Sequence, residues 1–414
     1  MGVHMFSVSL GLCAGRGWVV LGLTFAMLFM ASGAQMSFPI SLVPMSRELG
    51  WDISLLSHAM SICMLSTGFS MPLIGKLTDK YGPRIVTLLG CTIAGISTLL
   101  ISLVSEIWQV YLLYGVLLGL TWHSIGMVTL PTLVSGWFAE KRSLPLSILQ
   151  SAYPIGWFCT APLAGSLVQN YGWRYTWLLL GIIFLVVVAL SSLFMRELRA
   201  SFIRALGSSR LNEVVSVKMA IKTRFFMLVG IAIMFMCGFT DTPFTQLWVP
   251  ISIEWGIDEA TASYSLGYMA LMAFIGTISM GPLPRKLGYK IPFSILYVVR
   301  AASLVPPLFL VKSIVAYYTF MALLGLSFFG MAPVFSAWIG ETFGEKILGE
   351  LLGLSIFVHF VGAALGIYIF SLINEAYRTY YPAFLLSFIL VLTIIILCCL
   401  IRLSIGVQLR QEVS

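Results

Sequence analysis

The chain has 414 residues, 59% of them hydrophobic and only 10% charged, with a net charge of +8. A soluble surface needs about 25% charged residues, so this composition excludes a soluble enzyme, a disordered chain and a secreted disulfide scaffold. The mean hydropathy of +0.99 implies a lipid solvent, and no basic run is interleaved with polar sequence as a nucleic-acid footprint requires.

A bilayer core needs about 20 mainly apolar residues per helix. By that ruler, spans are expected near 17–45, 52–75, 84–104, 108–136, 142–169, 174–195, 225–252, 259–281, 290–311, 313–340, 346–373 and 381–403. The first run is too long for a signal segment and lacks a small-residue cleavage site, so it reads as a retained span. The seven cysteines lie in or beside apolar runs without paired spacing and read as membrane-buried hydrophobes, not bridges or metal ligands. Twelve spans put both termini on one side. Nineteen of the 24 basic residues fall on that side, four (Arg47, Arg174, Lys312, Arg378) on the other, and Arg300 inside a span. This bias places both termini in the cytoplasm of an inner-membrane protein, and the basic surface attracts anionic lipid heads. The longest polar interruption, 196–224, reads as a cytoplasmic linker between six-helix halves at 1–195 and 225–414.

The halves are copies. An offset of 206 residues sets Phe29-Met30 on Phe235-Met236, Phe38 on Phe244, and Val43-Pro44 on Val249-Pro250. Under the same offset Glu48, Gly50 and Asp52 meet Glu254, Gly256 and Asp258. Gly75, Leu77, Lys80 and Gly82 meet Gly281, Leu283, Lys286 and Gly288, and Gly119-Leu120 meets Gly325-Leu326. Parallel repeats of six helices are a transporter architecture, with the solute site near the midplane between them.

The run from Gly75 to Arg84, Gly-Lys-Leu-Thr-Asp-Lys-Tyr-Gly-Pro-Arg, resembles the signature loop of the major facilitator superfamily. Residues 281–288 are its degenerate partner. The resemblance implies an all-α membrane fold of twelve transmembrane helices in two six-helix pseudo-repeats. It also implies a gating role for Asp79, with Gly75, Lys80, Gly82 and Arg84 around it. Gly75 and Gly82 permit close turns, and Asp79 can face a helix N-terminus. The second copy has Arg285 at the acidic position. Trp137-Phe138, Lys141-Arg142, Gly156, Pro162, Gly165 and Gly172-Trp173-Arg174 resemble the fifth-helix region of the monocarboxylate and oxalate/formate branch. Gly15-Arg16-Gly17-Trp18 is similar to its first-helix entry, without the acidic residue. Small residues and Pro at such spacings also serve close packing and bends. Two departures matter. Ala273 and Thr277 stand where animal monocarboxylate carriers place an Asp–Arg pair, and Gly115 stands where drug–proton antiporters usually place an Arg.

A charged side chain at mid-bilayer costs about 2.5–3.5 kcal/mol on insertion scales, so each needs a reason. Asp241, in Thr-Asp-Thr-Pro, aligns with Gln35 under the offset. It reads either as the group that takes a coupling proton, or as a cap on a helix break before Pro243. His123 after Trp122, and His359 among glycines of span eleven, read as solute or proton groups, or as satisfied packing histidines. Arg300 reads either as a buried structural partner of a carbonyl or carboxylate, or as the counter-charge of an anionic solute. Tyr153, Gln150, Gln246 and Trp338 complete the candidates. No phosphate loop, zinc helix or nucleophile elbow occurs, so no enzyme chemistry, cofactor or metal is expected. The function expected is proton-coupled uptake of a small organic anion by a monomeric secondary transporter. Its alternatives are an importer or efflux antiporter for a larger amphipathic solute, and a solute sensor.

Overall fold

The computed structural model describes residues 2–126, 129–138, 143–195, 217–309 and 313–401, with side chains described from Gly17 onward. Every regular element among them is helical. In lipid each backbone polar group must be met within the segment, which leaves helices as the economical answer for an apolar chain. Ten helices among the described residues are long and apolar enough to cross a membrane.

Apart from two short helices at Val217–Lys222 and Leu283–Leu287, the helices in chain order are α1 (Gly2–Leu49), α2 (Ile53–Tyr81), α3 (Pro83–Ile101), α4a (107–125) and α4b (Thr129–Trp137). They continue with α5 (Ser143–Tyr171), α6 (Trp173–Phe194), α7a (226–246), α7b (Trp248–Glu254), α8 (Glu259–Met280) and α9 (Lys290–Phe309). The last are α10a (Ile314–Phe328), α10b (Met331–Phe343), α11 (Glu345–Tyr377) and α12 (Tyr381–Leu400). Three expected spans are therefore interrupted. The fourth breaks after Ile125, the seventh turns at Leu247, and the tenth breaks at Phe329-Gly330. The linker residues 196–216 lie outside the described residues.

The expected loop at 75–84 is shorter than the sequence suggested. α2 continues through Gly75 to Tyr81, and α3 starts at Pro83. Gly82 alone makes the turn, at φ +85°, and its repeat partner Gly288 does the same at +70°. Gly75 is an ordinary helical residue.

Contacts repeat with the 206 offset. Glu48 accepts hydrogen bonds from Trp173 and Arg174 at the start of α6 (2.6 and 2.7 Å). Glu254 accepts from Thr379 and the Tyr380 amide at the start of α12 (2.7 and 2.8 Å). Gly156 lets α5 lie against the Phe29 carbonyl of α1, and Gly362 lets α11 lie against the Phe235 carbonyl of α7a. Gly172 has φ +83° with an extended ψ of 161°, whereas its partner Arg378 lies in the left-handed helical region at φ +56°, ψ 26°. The two halves of the chain then meet along α2 with α11 and α5 with α8. At the end opposite the basic residues, Arg47 and Glu259 form an ion pair at 2.6 Å across them.

Candidate functional site

Two pairs related by the offset face the centre. In the first half, Tyr153 of α5 donates to the Gln35 amide oxygen of α1 at 2.7 Å. In the second, Asp241 of α7a and His359 of α11 occupy the equivalent positions. A ring nitrogen of His359, a carboxylate oxygen of Asp241 and the Cys237 sulfur lie within 4.8 Å of one another. Helix α7a runs through Pro243 and turns only at Leu247, so Asp241 caps no break there.

Asp241 is held by Arg300, which reaches in from α9. Nη1 of Arg300 donates to Asp241 Oδ2 at 3.1 Å and to the Cys237 sulfur at 3.2 Å. Nη2 donates to the Ser327 carbonyl at 3.1 Å. Thr242 donates to Oδ1 of the same carboxylate at 3.0 Å, and the Cys237 thiol to Oδ2 at 3.2 Å. Both charged side chains are almost completely buried, at 2% and 4% exposure. A buried pair survives only when its remaining donors and acceptors are met, and the four contacts do that. Cys237, Asp241 and His359 have a spacing that suits a cation, but the guanidinium already lies against two of the three.

The centre is walled by aromatic rings from both halves. Tyr153 touches Trp122, Trp157 and Phe329 at centroid distances of 5.7, 5.2 and 5.2 Å. Trp157 also meets Phe328 and Phe329 at 6.0 and 5.4 Å. Phe328 and Phe329 sit at the α10 break, directly after Ser327. Three buried polar atoms here and nearby have no partner among the described residues: Trp157 Nε1, Gln246 Oε1 and His359 Nδ1. His359 is itself partly buried and lies beside the buried pair. His123 lies on α4a, but its side chain is outside the described part. Asp79 and Lys80 are exposed in the last turn of α2, and Arg84 donates to the Ser192 carbonyl of α6 at 3.1 Å.

The family model described as Major Facilitator Superfamily matches residues 23–366. The chain belongs to the major facilitator superfamily. It is therefore a multi-pass membrane transporter, not an enzyme, and its partner is a small-molecule solute. Among relatives of this superfamily member, an uncharacterized MFS-type transporter, YcxA of Bacillus subtilis, is 29% identical over 85% of this chain and 86% of its own. Human monocarboxylate transporter 2 is 24% identical over 82% and 76%. The oxalate:formate antiporter of Oxalobacter formigenes is 27% identical over 42% of each chain. A bacterial homolog of the human lysosomal transporter Spinster, solved in an inward-facing and occupied conformation, shares the fold with a TM-score of 0.74. It is 13% identical, with 93% of this chain and 96% of that one aligned.

The sequence candidates thus fall into two groups. Gln35, Trp122 and Tyr153 come together, as do Asp241, Arg300 and His359. Gln246 is buried, and its Oε1 has no hydrogen-bond partner among the described residues. Cys237, Trp157, Ser327, Phe328 and Phe329 were missed by sequence reasoning. One signal was available: Cys237 is one helical turn before Asp241 on the same face.

Proposed function

We propose that the protein carries a small organic anion across an inner membrane by alternating access, in symport with a proton. The observation that carries this reading is the buried Asp241–Arg300 pair with partly exposed His359 beside it. An arginine is the side chain best shaped to hold a carboxylate. While Asp241 is ionised, that arginine is occupied. A proton on Asp241 cancels the charge and leaves the guanidinium to take the carboxylate of the solute. The net charge of the buried region is then unchanged, which matters where the dielectric is low. The similarity to a monocarboxylate transporter and an oxalate:formate antiporter supports an anionic solute for this chain as well.

In this reading the six-helix halves 1–195 and 225–414 rock about the centre, joined by a cytoplasmic linker at 196–224. Both termini are cytoplasmic and the transporter is a monomer among anionic lipids. Gly75, Asp79, Lys80, Gly82 and Arg84 form the gate at the basic end. Arg47 with Glu259 holds the opposite end closed. The five aromatic rings at the centre favour a second reading, an importer or efflux antiporter for a larger amphipathic solute.

The test is uptake of labelled carboxylates into proteoliposomes under an imposed pH gradient. Stimulation by an inward proton gradient, abolished in Asp241→Asn, is the expected result. Uptake indifferent to the gradient removes proton coupling, and unchanged coupling in Asp241→Asn removes Asp241 as its residue.

A further inference from the structure

We propose that the solute is an aromatic carboxylate, held between Trp157 and Phe329, with Trp157 Nε1 as a hydrogen-bond donor to it. The inference rests on the organic-anion reading and narrows it. Short aliphatic acids have no use for an aromatic wall; a flat ring does.

Trp157 is 2% exposed, and its indole nitrogen meets no acceptor among the described residues. A buried donor left unmet is costly and calls for an explanation, and an acceptor on a bound solute supplies one. The indole lies against Tyr153 on its own helix and against Phe328 and Phe329 on the opposite half. Phe328 and Phe329 stand edge-on to each other at 4.8 Å and 90°, on the break between α10a and α10b. The interruption is local, with Phe329 and Gly330 still in the right-handed helical region, and irregular backbone in a membrane helix is tolerated where it lines a cavity or is covered by protein. Withdrawal of Phe329 from Tyr153 and Trp157 leaves a slot walled by aromatic faces and edges, which an arene fills in offset or edge-to-face contact.

The cation is adjacent. Arg300 donates to the Ser327 carbonyl and to the Ser327 hydroxyl (3.1 and 3.4 Å), and Ser327 precedes Phe328 directly. One side chain therefore contacts both the carboxylate of Asp241 and the turn that carries the aromatic wall. A solute with a carboxylate and an oxygen-bearing ring matches a guanidinium, an aromatic slot and an unmet N–H together.

The experiment uses the full chain in detergent micelles, with 4-hydroxybenzoate, L-lactate, oxalate and 4-hydroxybenzyl alcohol as probes. Thermal unfolding reports binding, because a ligand that binds only the folded state raises the midpoint. 4-Hydroxybenzoate is expected to stabilise the protein saturably. Trp157→Phe, which keeps an aromatic face but loses the donor and the volume of the pyrrole ring, is expected to lower the midpoint of the free protein and, read from the concentration dependence of the shift, to weaken binding about five- to tenfold. Phe329→Leu is expected to weaken it as well. Stabilisation by lactate or oxalate but not by 4-hydroxybenzoate overturns the aromatic assignment and leaves the anion reading standing. Equal binding of the uncharged alcohol overturns the anion reading itself. Undiminished binding in Trp157→Phe overturns the role of the indole nitrogen.

Discussion

Replacing Asp241 by Asn leaves the Arg300 guanidinium buried with a neutral amide where its counter-charge stood. Arg300 is 2% exposed and Asp241 4%, so water offers little relief. Breaking one member of a buried pair costs about 3–5 kcal/mol, whereas replacing both members by residues of similar volume is often close to neutral. Asp241→Asn alone is therefore expected to lose about 3 kcal/mol or more. Arg300→Met leaves the carboxylate with only Thr242 and the Cys237 thiol, a comparable loss. The double variant Asp241→Asn/Arg300→Met is expected to lose about 3 kcal/mol, no more than either single variant, where the two single losses sum to about 6 kcal/mol, a coupling energy of about 3 kcal/mol. Reversible denaturant unfolding of the purified protein in mixed micelles, followed by tryptophan fluorescence, measures all four forms. Single losses under about 1 kcal/mol, or a double loss equal to their sum, would refute the argument that the pair is energetically closed on itself.

Three further outcomes follow from the geometry. In Gly362→Ala the new methyl meets the Phe235 carbonyl, which cannot yield as a side chain would. A loss of about 1–3 kcal/mol is expected, while Gly349→Ala, with open space around it, is neutral or slightly stabilising in the same unfolding assay. Arg378 holds a left-handed turn at φ +56°, where a non-glycine residue is strained, so Arg378→Gly is expected to gain about 1 kcal/mol. Asp258 caps α8 by accepting from the Thr261 amide at 2.9 Å and hydroxyl at 2.7 Å. The Thr261 hydroxyl and then its amide hold the Asp258 carboxyl below its ordinary value. A lowered carboxylate contributes stability above its unfolded value and loses it as pH falls through the folded one. Asp258→Ala is therefore expected to cost about 1 kcal/mol at neutral pH, and acid titration of unfolding is expected to show the difference shrinking below about pH 4. Asp52, its repeat partner, makes no side-chain cap, so Asp52→Ala is expected to change less.

The membrane class, the superfamily and the 206 offset were legible because each is a property of residue type along the chain. The offset even carried the Tyr153–His359 equivalence, since 153 plus 206 is 359, although span five and span eleven share few residues around those positions. What the sequence could not show is azimuth. Arg300 and Asp241 are 59 positions apart, and whether α9 turns its arginine toward α7a depends on packing rotations that no single-helix pattern encodes. The same limit hid the meeting of Trp157 with Phe328 and Phe329, three rings that read as packing in any apolar helix. Gly75 misled for a different reason: glycine marks turns well, yet within α2 the apolar run simply continues past it.

The repeat makes the difference between the halves more informative than their likeness. Under the offset, Asp241 answers to Gln35, His359 to Tyr153, Arg300 to Ala94 and Tyr297 to Cys91. The first half thus meets the centre with one neutral hydrogen bond, while the second meets it with a full ion pair and a histidine. Had a rigid scaffold been the only requirement, the neutral version would serve in both halves at lower cost in a low-dielectric interior. The charged version is kept in one half alone, beside the broken helix that carries Phe328 and Phe329. In the proposed rocking of the halves, a neutral aromatic face on α4a and α5 moves against an ionisable one on α7a, α9 and α11. A change of protonation or of bound carboxylate on the second face therefore alters its fit to the first, and that differential interaction is what any ligand must supply to shift such an equilibrium.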